Sequence, residues 1–274
     1  MKKVYVLAPL LLTTLLGIAQ KNTSIVGQGK QVDPYHYQSV KSATFNKACV
    51  ASAHPLASQV GVAIMQRGGN AFDAMIATQL TLAVVYPDAG NIGGGGFLTA
   101  RTSGGKVITI DFREMASGKA TRDMYLDKSG NPQMNLSQDG HLSAGVPGTV
   151  GGLFAMHKYA KLPFSELIQP AIDLATNGYV ITAEQAKEFN GLKNIFLKFN
   201  TKPTAFVKDV AWKEGDTLYQ PELAATLTRI RDNGAKGFYE GETAKFIVGE
   251  MQRGGGIIGL DDVENILKIG IGAG

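Results

Sequence analysis

Four consecutive glycines, Gly93 to Gly96, constrain this chain more than any other feature of it. They follow two apolar helical patterns and lead straight into a strand pattern. A run without Cβ atoms permits a backbone to lie against another backbone or against a ligand, and glycine at the head of a strand marks such an approach. The run has neither the G-x-x-x-x-G-K-[ST] nor the G-x-G-x-x-G spacing. It also opens a strand rather than a helix, so no helix N-terminus faces an anion. Nucleotide binding is therefore disfavoured, and close packing is the reading. The chain as a whole is glycine-rich, with 34 in 274 residues against roughly 7% in average usage, and it has no collagen period.

The flanking pattern is regular. Pro55 opens a helix at no loss of a hydrogen bond, with Leu56, Val60, Ala63 and Ile64 at helical spacing. Gly68 and Gly69 stop it. Asn70 caps a second helix through Phe72, Ile76, Leu80 and Val84, which Pro87 ends. Residues 97–101 and 107–112, separated by Thr102-Ser103-Gly104-Gly105, predict a β-hairpin. Ala48 to Ser52 suits a short buried strand, which would bury Cys49. Beyond Thr121 helices dominate: residues 148–160; residues 165–177, broken at Pro170; one after the Thr182-x-x-Gln185 capping box; one from Pro221 to Gly234; and a last one from Glu242 to Arg253. The fold class expected is α+β, with an early sheet covered on one face by later helices.

Charge and cysteine content exclude several functions. There are 27 basic and 23 acidic residues, and two of the basic ones, Lys2 and Lys3, begin a leader pattern. That leaves 25 against 23, too even for nucleic-acid binding. One cysteine rules out an internal disulfide and a cysteine-based zinc cluster. The four histidines are dispersed, with no i, i+4 pair, so no metal and no cofactor is expected. Met1-Lys2-Lys3, the apolar run Val4 to Ile18 and then Ala19 read as a signal peptide over residues 1–19, cut after Ala19. Export to the periplasm or the medium follows. Residues 20–47 read as an extended arm.

Two segments carry candidate chemistry. His141-Leu142-Ser143-Ala144-Gly145 approximates a nucleophile elbow, but it lacks the preceding strand and the first glycine. Asp111-Phe112-Arg113-Glu114-Met115-Ala116 closes the hairpin. Arg113 there can offer a planar fork to a carboxylate, or it can pair structurally with Asp111 or Glu114. The residues alone favour the ion pair.

Four blocks then stand in one order: Gly68 to Ala74, Pro87 to Phe97, Asp111 to Ala116, and Gly145 to Val150. In these the chain resembles the γ-glutamyltranspeptidase family (γ-glutamyltransferase, glutathione hydrolase) over residues 48–264. The resemblance implies an N-terminal-nucleophile hydrolase fold, a four-layer αββα sandwich of which this would be a large-subunit portion. It implies cleavage of the γ-glutamyl amide of glutathione and related compounds through a γ-glutamyl-enzyme, with water, amino acids or dipeptides as acceptors. It assigns Arg113 to the substrate's α-carboxylate. The family nucleophile is a threonine exposed at the start of a small subunit cut from the same precursor, so no catalytic residue is expected in this chain. A related glutaryl or β-lactam acylase, and a non-catalytic fragment or partner of a separate small subunit, are the alternatives. Family precursors are much longer, and residues 265–274 match no family pattern. The expectation is thus an aberrant tail, a chain inactive alone, and sheet edges and apolar surface left uncovered.

Overall fold

The computed structural model describes residues 44–269 together with Gly272 and Ala273. The expected leader, residues 1–19, and most of the arm lie outside the described residues. Residues 44–49 are exposed and form no regular element. Among the described residues no helix is long and apolar enough to cross a membrane.

An antiparallel helix pair comes first. Helix α1 (Pro55–Gln66) begins at His54, whose Nδ1 accepts the Leu56 N–H at 3.2 Å. It ends at Gly68, where φ is 98°. Helix α2 (Ala71–Val85) carries the Asn70/Asp73 capping box. Asp73 is fully buried. Its carboxylate accepts N–H groups from Asn70 at 2.7 Å, Leu162 at 2.8 Å and Lys161 at 3.0 Å. Buried charge is tolerated when it is hydrogen-bonded this fully. The first of the four sequence blocks is thus a structural device, a cap that also pins the loop at residues 160–162.

The hairpin is present as β1 (Phe97–Arg101) and β2 (Val107–Asp111), with Phe97 opposite Asp111 and Arg101 opposite Val107. Side chains alternate. Leu98, Ile108 and Ile110 are buried in the core they share with α2 and with α4 (Thr149–His157). The other face is open: Phe97 is 67% and Val107 58% exposed, as expected of a sheet with an uncovered face. Further helices follow: α3 (Met134–Gln138), α5 (Phe164–Asn177), α6 (Ala183–Phe199), α7 (Pro221–Asn233), α8 (Lys236–Tyr239), α9 (Gly241–Gly254) and α10 (Leu260–Ile269). Strands β3 (Tyr179–Val180) and β4 (Thr217–Leu218) make a separate two-stranded ribbon, and β5 (Gly272–Ala273) pairs with β2. The architecture is mixed α+β, as expected.

Three local readings are corrected. Residues 48–52 form no strand and Cys49 is exposed, because no described segment supplies a ladder to pair with. Helix α5 runs through Pro170 unbroken. Leu167, Ile168, Ala171, Ile172, Leu174 and Ala175 bury its apolar face, which outweighs one missing hydrogen bond. Helix α10 follows the segment taken as the last helix. Asp262 reaches back to accept the Gly259 N–H at 2.9 Å, and Val263 and Ile266 are buried. The helix crosses the 264/265 boundary without a break.

His54 is 1% exposed, and its Nε2 has no hydrogen-bond partner. Burial pushes its pKa down to about 4. In the unfolded chain the imidazole protonates near its ordinary value of about 6.5. Between those values the unfolded state binds more protons, so the stability held above pH 6.5 is lost as pH falls through 4. Urea denaturation should show up to about 3 kcal/mol of that loss from this one group. His54→Asn, which keeps a capping acceptor and does not titrate, should flatten the slope. An unchanged pH slope in that variant contradicts the assignment.

Candidate functional site

The site is built around three consecutive residues, Phe112, Arg113 and Glu114, where the chain leaves β2. They are seated by glycines from two distant stretches. A Cβ on Gly95 would stand 2.7 Å from the Arg113 Cα and the Glu114 N; on Gly148, 2.1 Å from the Phe112 carbonyl oxygen; on Gly152, 2.3 Å from the Phe112 ring; on Gly145, 2.8 Å from the Glu114 Cβ. A larger residue at any of these positions would force its neighbours to shift, since heavy atoms do not approach below about 3 Å without hydrogen bonding. Glycine supplies close approach here, and the run found in the sequence is one wall of that seat.

Hydrogen bonds lock the seat. Phe112 N–H donates to the Gly96 carbonyl at 3.0 Å. The Gly94 carbonyl accepts from both Gly148 N–H at 2.8 Å and Thr149 N–H at 3.0 Å. Two of the N–H groups that begin α4 are therefore satisfied by the glycine run itself. This disposes of the phosphate-loop reading. Buried Thr149 donates its hydroxyl to Asn91 Oδ1 at 2.7 Å, and Gly94 N–H donates to the same oxygen at 2.9 Å. Met115 and Val146 exchange backbone bonds at 3.1 and 2.8 Å. On the far side of α4, buried Tyr239 donates its hydroxyl to the Pro147 carbonyl at 2.9 Å and accepts the Gly151 N–H at 3.0 Å. Burial pushes that hydroxyl up to about 12, so it stays a neutral donor.

Arg113 itself points outward, with 65% of its side chain exposed. Asp111 does not ion-pair with it in the expected way: Asp111 Oδ1 accepts the Arg113 backbone N–H at 3.0 Å. Glu114 Oε2 lies 3.8 Å from Nε, beyond hydrogen-bond length and 38% exposed on its side chain. An exposed pair of that kind contributes little. The Phe97 ring centroid is 5.9 Å from the Arg113 Cζ. The guanidinium is thus fixed at its root and available at its tip. It can hold a carboxylate bidentately.

The elbow reading of His141-Leu142-Ser143 fails on geometry. These residues form a single 3-10 turn, and the Ser143 hydroxyl donates to the Gly140 carbonyl at 2.7 Å. The His141 ring faces elsewhere, with Nε2 2.8 Å from Glu250 Oε1. Arg253 is the main group holding the Glu250 carboxyl down at about 2, with Thr201 and His141 adding to it. Arg253 also donates to the Phe199 carbonyl at 2.6 Å. This cluster ties the loop before Gly145 to α9 and to the end of α6. Sequence reasoning missed it, as it missed Tyr239 and the Asn91–Thr149 bond, since each joins residues tens of positions apart. Among the described residues there is no His/Cys/Asp/Glu group that could hold a metal ion.

The family model described as Gamma-glutamyltranspeptidase matches residues 57–267. The chain is 42% identical over 241 residues to the glutathione hydrolase proenzyme of Escherichia coli, covering 87% of this chain and 41% of that protein. It superposes on the crystal structure of Helicobacter pylori γ-glutamyltranspeptidase with a TM-score of 0.78 and 46% identity, over 81% of this chain and 64% of that one. Against cephalosporin acylase from Bacillus halodurans the TM-score is 0.67 at 26% identity, over 84% of this chain and 45% of that one.

The glycine seat makes a sharp prediction about two neighbouring positions. Gly148→Ala should lower stability by about 1–3 kcal/mol through overpacking against Phe112. Its backbone, at φ −101° and ψ −19°, suits alanine, so the loss would come from contact alone. Gly93→Ala meets nothing within 4 Å and should stay within about 0.5 kcal/mol of the parent. Urea midpoints for the two variants check this, and equal midpoints contradict it.

Proposed function

The chain belongs to the γ-glutamyltranspeptidase family, and on that footing we propose that it carries the substrate-gripping part of a γ-glutamyltransferase and glutathione hydrolase. Its fold is that of the N-terminal-nucleophile hydrolases, of which the described residues contribute helices, a hairpin-based sheet and a small ribbon. The chain spans less than half the length of the curated relatives it matches.

The reading is carried by Arg113. A γ-glutamyl compound presents an α-carboxylate at one end and its scissile amide three carbons away. A planar fork that binds the carboxylate through two parallel N–H···O bonds fixes both position and orientation. The far end is then delivered to a nucleophile at a set distance, which is how binding energy is turned into proximity. Arg113 is suited to this role because its backbone is held by Asp111 and by the glycine seat while its donors face outward. The nucleophile is assigned to no residue described here. It belongs, on this reading, to a small subunit of the same precursor, and water or an amino acid or peptide amine takes the acyl group. Glutathione is the substrate to test first, because relatives bear the name glutathione hydrolase proenzyme. The leader pattern of residues 1–19 supports export to the periplasm or the medium.

Calorimetric titration of the chain with glutathione tests the clamp. Arg113→Ala should weaken binding about tenfold, or about 1.4 kcal/mol. Arg113→Lys keeps the charge without the fork and should fall between the two. A glutaryl amide, which lacks the α-amine, should bind less well than glutathione; a preference for it would favour the acylase reading. Glutathione binding that is unchanged in Arg113→Ala removes Arg113 from the site.

A further inference from the structure

We propose that Phe97 is a positioning residue for Arg113, its ring standing within cation–π range of the guanidinium and steadying it without taking up the N–H fork that a carboxylate needs. The proposal rests on the clamp reading above and deepens it.

Phe97 opens β1 directly after the glycine run and stands opposite Asp111 in the antiparallel register. Both lie on the open face of the sheet. Asp111 turns the chain by accepting the Arg113 N–H, and the turn carries the guanidinium over the Phe97 ring, 5.9 Å from its centroid. The ring's own place is fixed one residue earlier, where Gly96 and Phe112 exchange backbone bonds at 3.0 and 3.4 Å. Phe97 is 67% exposed, so burial in the core does not account for it.

An exposed arginine can be steadied in two ways. A carboxylate partner occupies its donors, and those are the groups a substrate carboxylate needs. An aromatic ring occupies the π-face and no donor. The structure has a loose form of the first, with Glu114 at 3.8 Å and outside hydrogen-bond length, and also the second, with the ring centroid 5.9 Å away and within the roughly 6 Å over which a cation and a ring attract. A side chain of this length loses much rotamer freedom when it binds. Holding it beforehand removes part of that loss from the binding step.

The test uses the whole chain and two readouts. The first is the NMR signal of the Arg113 side-chain Nε–Hε group, assigned by its disappearance in Arg113→Lys. Its ring-current displacement should collapse in Phe97→Leu and persist in Phe97→Trp. The second is glutathione affinity, which should weaken about two- to fivefold in Phe97→Leu, the range expected of an exposed cation–ring contact, and recover in Phe97→Trp. Equal losses in the leucine and tryptophan variants would mark Phe97 as merely structural and overturn the proposal. So would a leucine variant with parental signal and affinity, even where Arg113→Ala abolishes binding and the clamp itself stands. Parental glutathione affinity in Arg113→Ala overturns the clamp and this proposal together.

Discussion

Backbone lying directly against backbone at Phe112, Arg113 and Glu114 is the contact on which the rest of the site depends. Gly95 approaches from one side, Gly148 from another, with Gly145 and Gly152 completing the enclosure. Each glycine yields space, and the Gly94 carbonyl then accepts the Gly148 and Thr149 N–H groups at the start of α4. A single oxygen of Asn91 gathers the Gly94 amide and the Thr149 hydroxyl. The hairpin end, the glycine run and the head of α4 are therefore one unit. The arginine that emerges from it is held at its backbone and carries its side chain into the open, 65% exposed.

The unit is supported from outside by polar groups that are fully engaged. Tyr239 grips the turn at Pro147 and the first turn of α4. The Glu250 carboxylate gathers Arg253, Thr201 and His141 and fastens the loop leading to Gly145. Asp262 joins α10 to the segment beyond Arg113, accepting the Gly118 N–H at 2.8 Å and the Ser117 hydroxyl at 2.7 Å. Tyr239 is buried, and Glu250 and Asp262 are half-buried; hydrogen-bond networks of this kind favour one arrangement of the chain. None of these contacts involves the guanidinium itself.

Much of this was legible in the sequence where the signal is local. Pro55, Asn70, Thr182, Pro221 and Gly234 mark helix ends by capping and by proline placement, and the hairpin follows from alternation around Thr102 to Gly105. The strand expected at 48–52 was not, because a strand is defined by a partner that local pattern does not supply. The unbroken passage through Pro170 depends on tertiary burial that propensity ignores. Arg113 is the instructive case. Residue type and spacing favoured a structural ion pair, and only the resemblance pointed to a clamp. In the structure Asp111 takes the backbone amide of Arg113, and Glu114 forms a loose, exposed ion pair with its guanidinium at 3.8 Å. The groups that position Arg113 lie up to about a hundred and fifty residues away in sequence, and no short-range pattern encodes them.

On the proposed reading, the glycine seat sets where Arg113 presents its fork. It is tested most directly by the glutathione affinity of Gly148→Ala, measured at a temperature where that variant remains fully folded. Weaker binding is expected, although the atoms nearest a Cβ at residue 148 are backbone atoms of Phe112 and Arg113 and none belongs to the guanidinium. Affinity equal to the parent, in a variant shown to be destabilised, would contradict it.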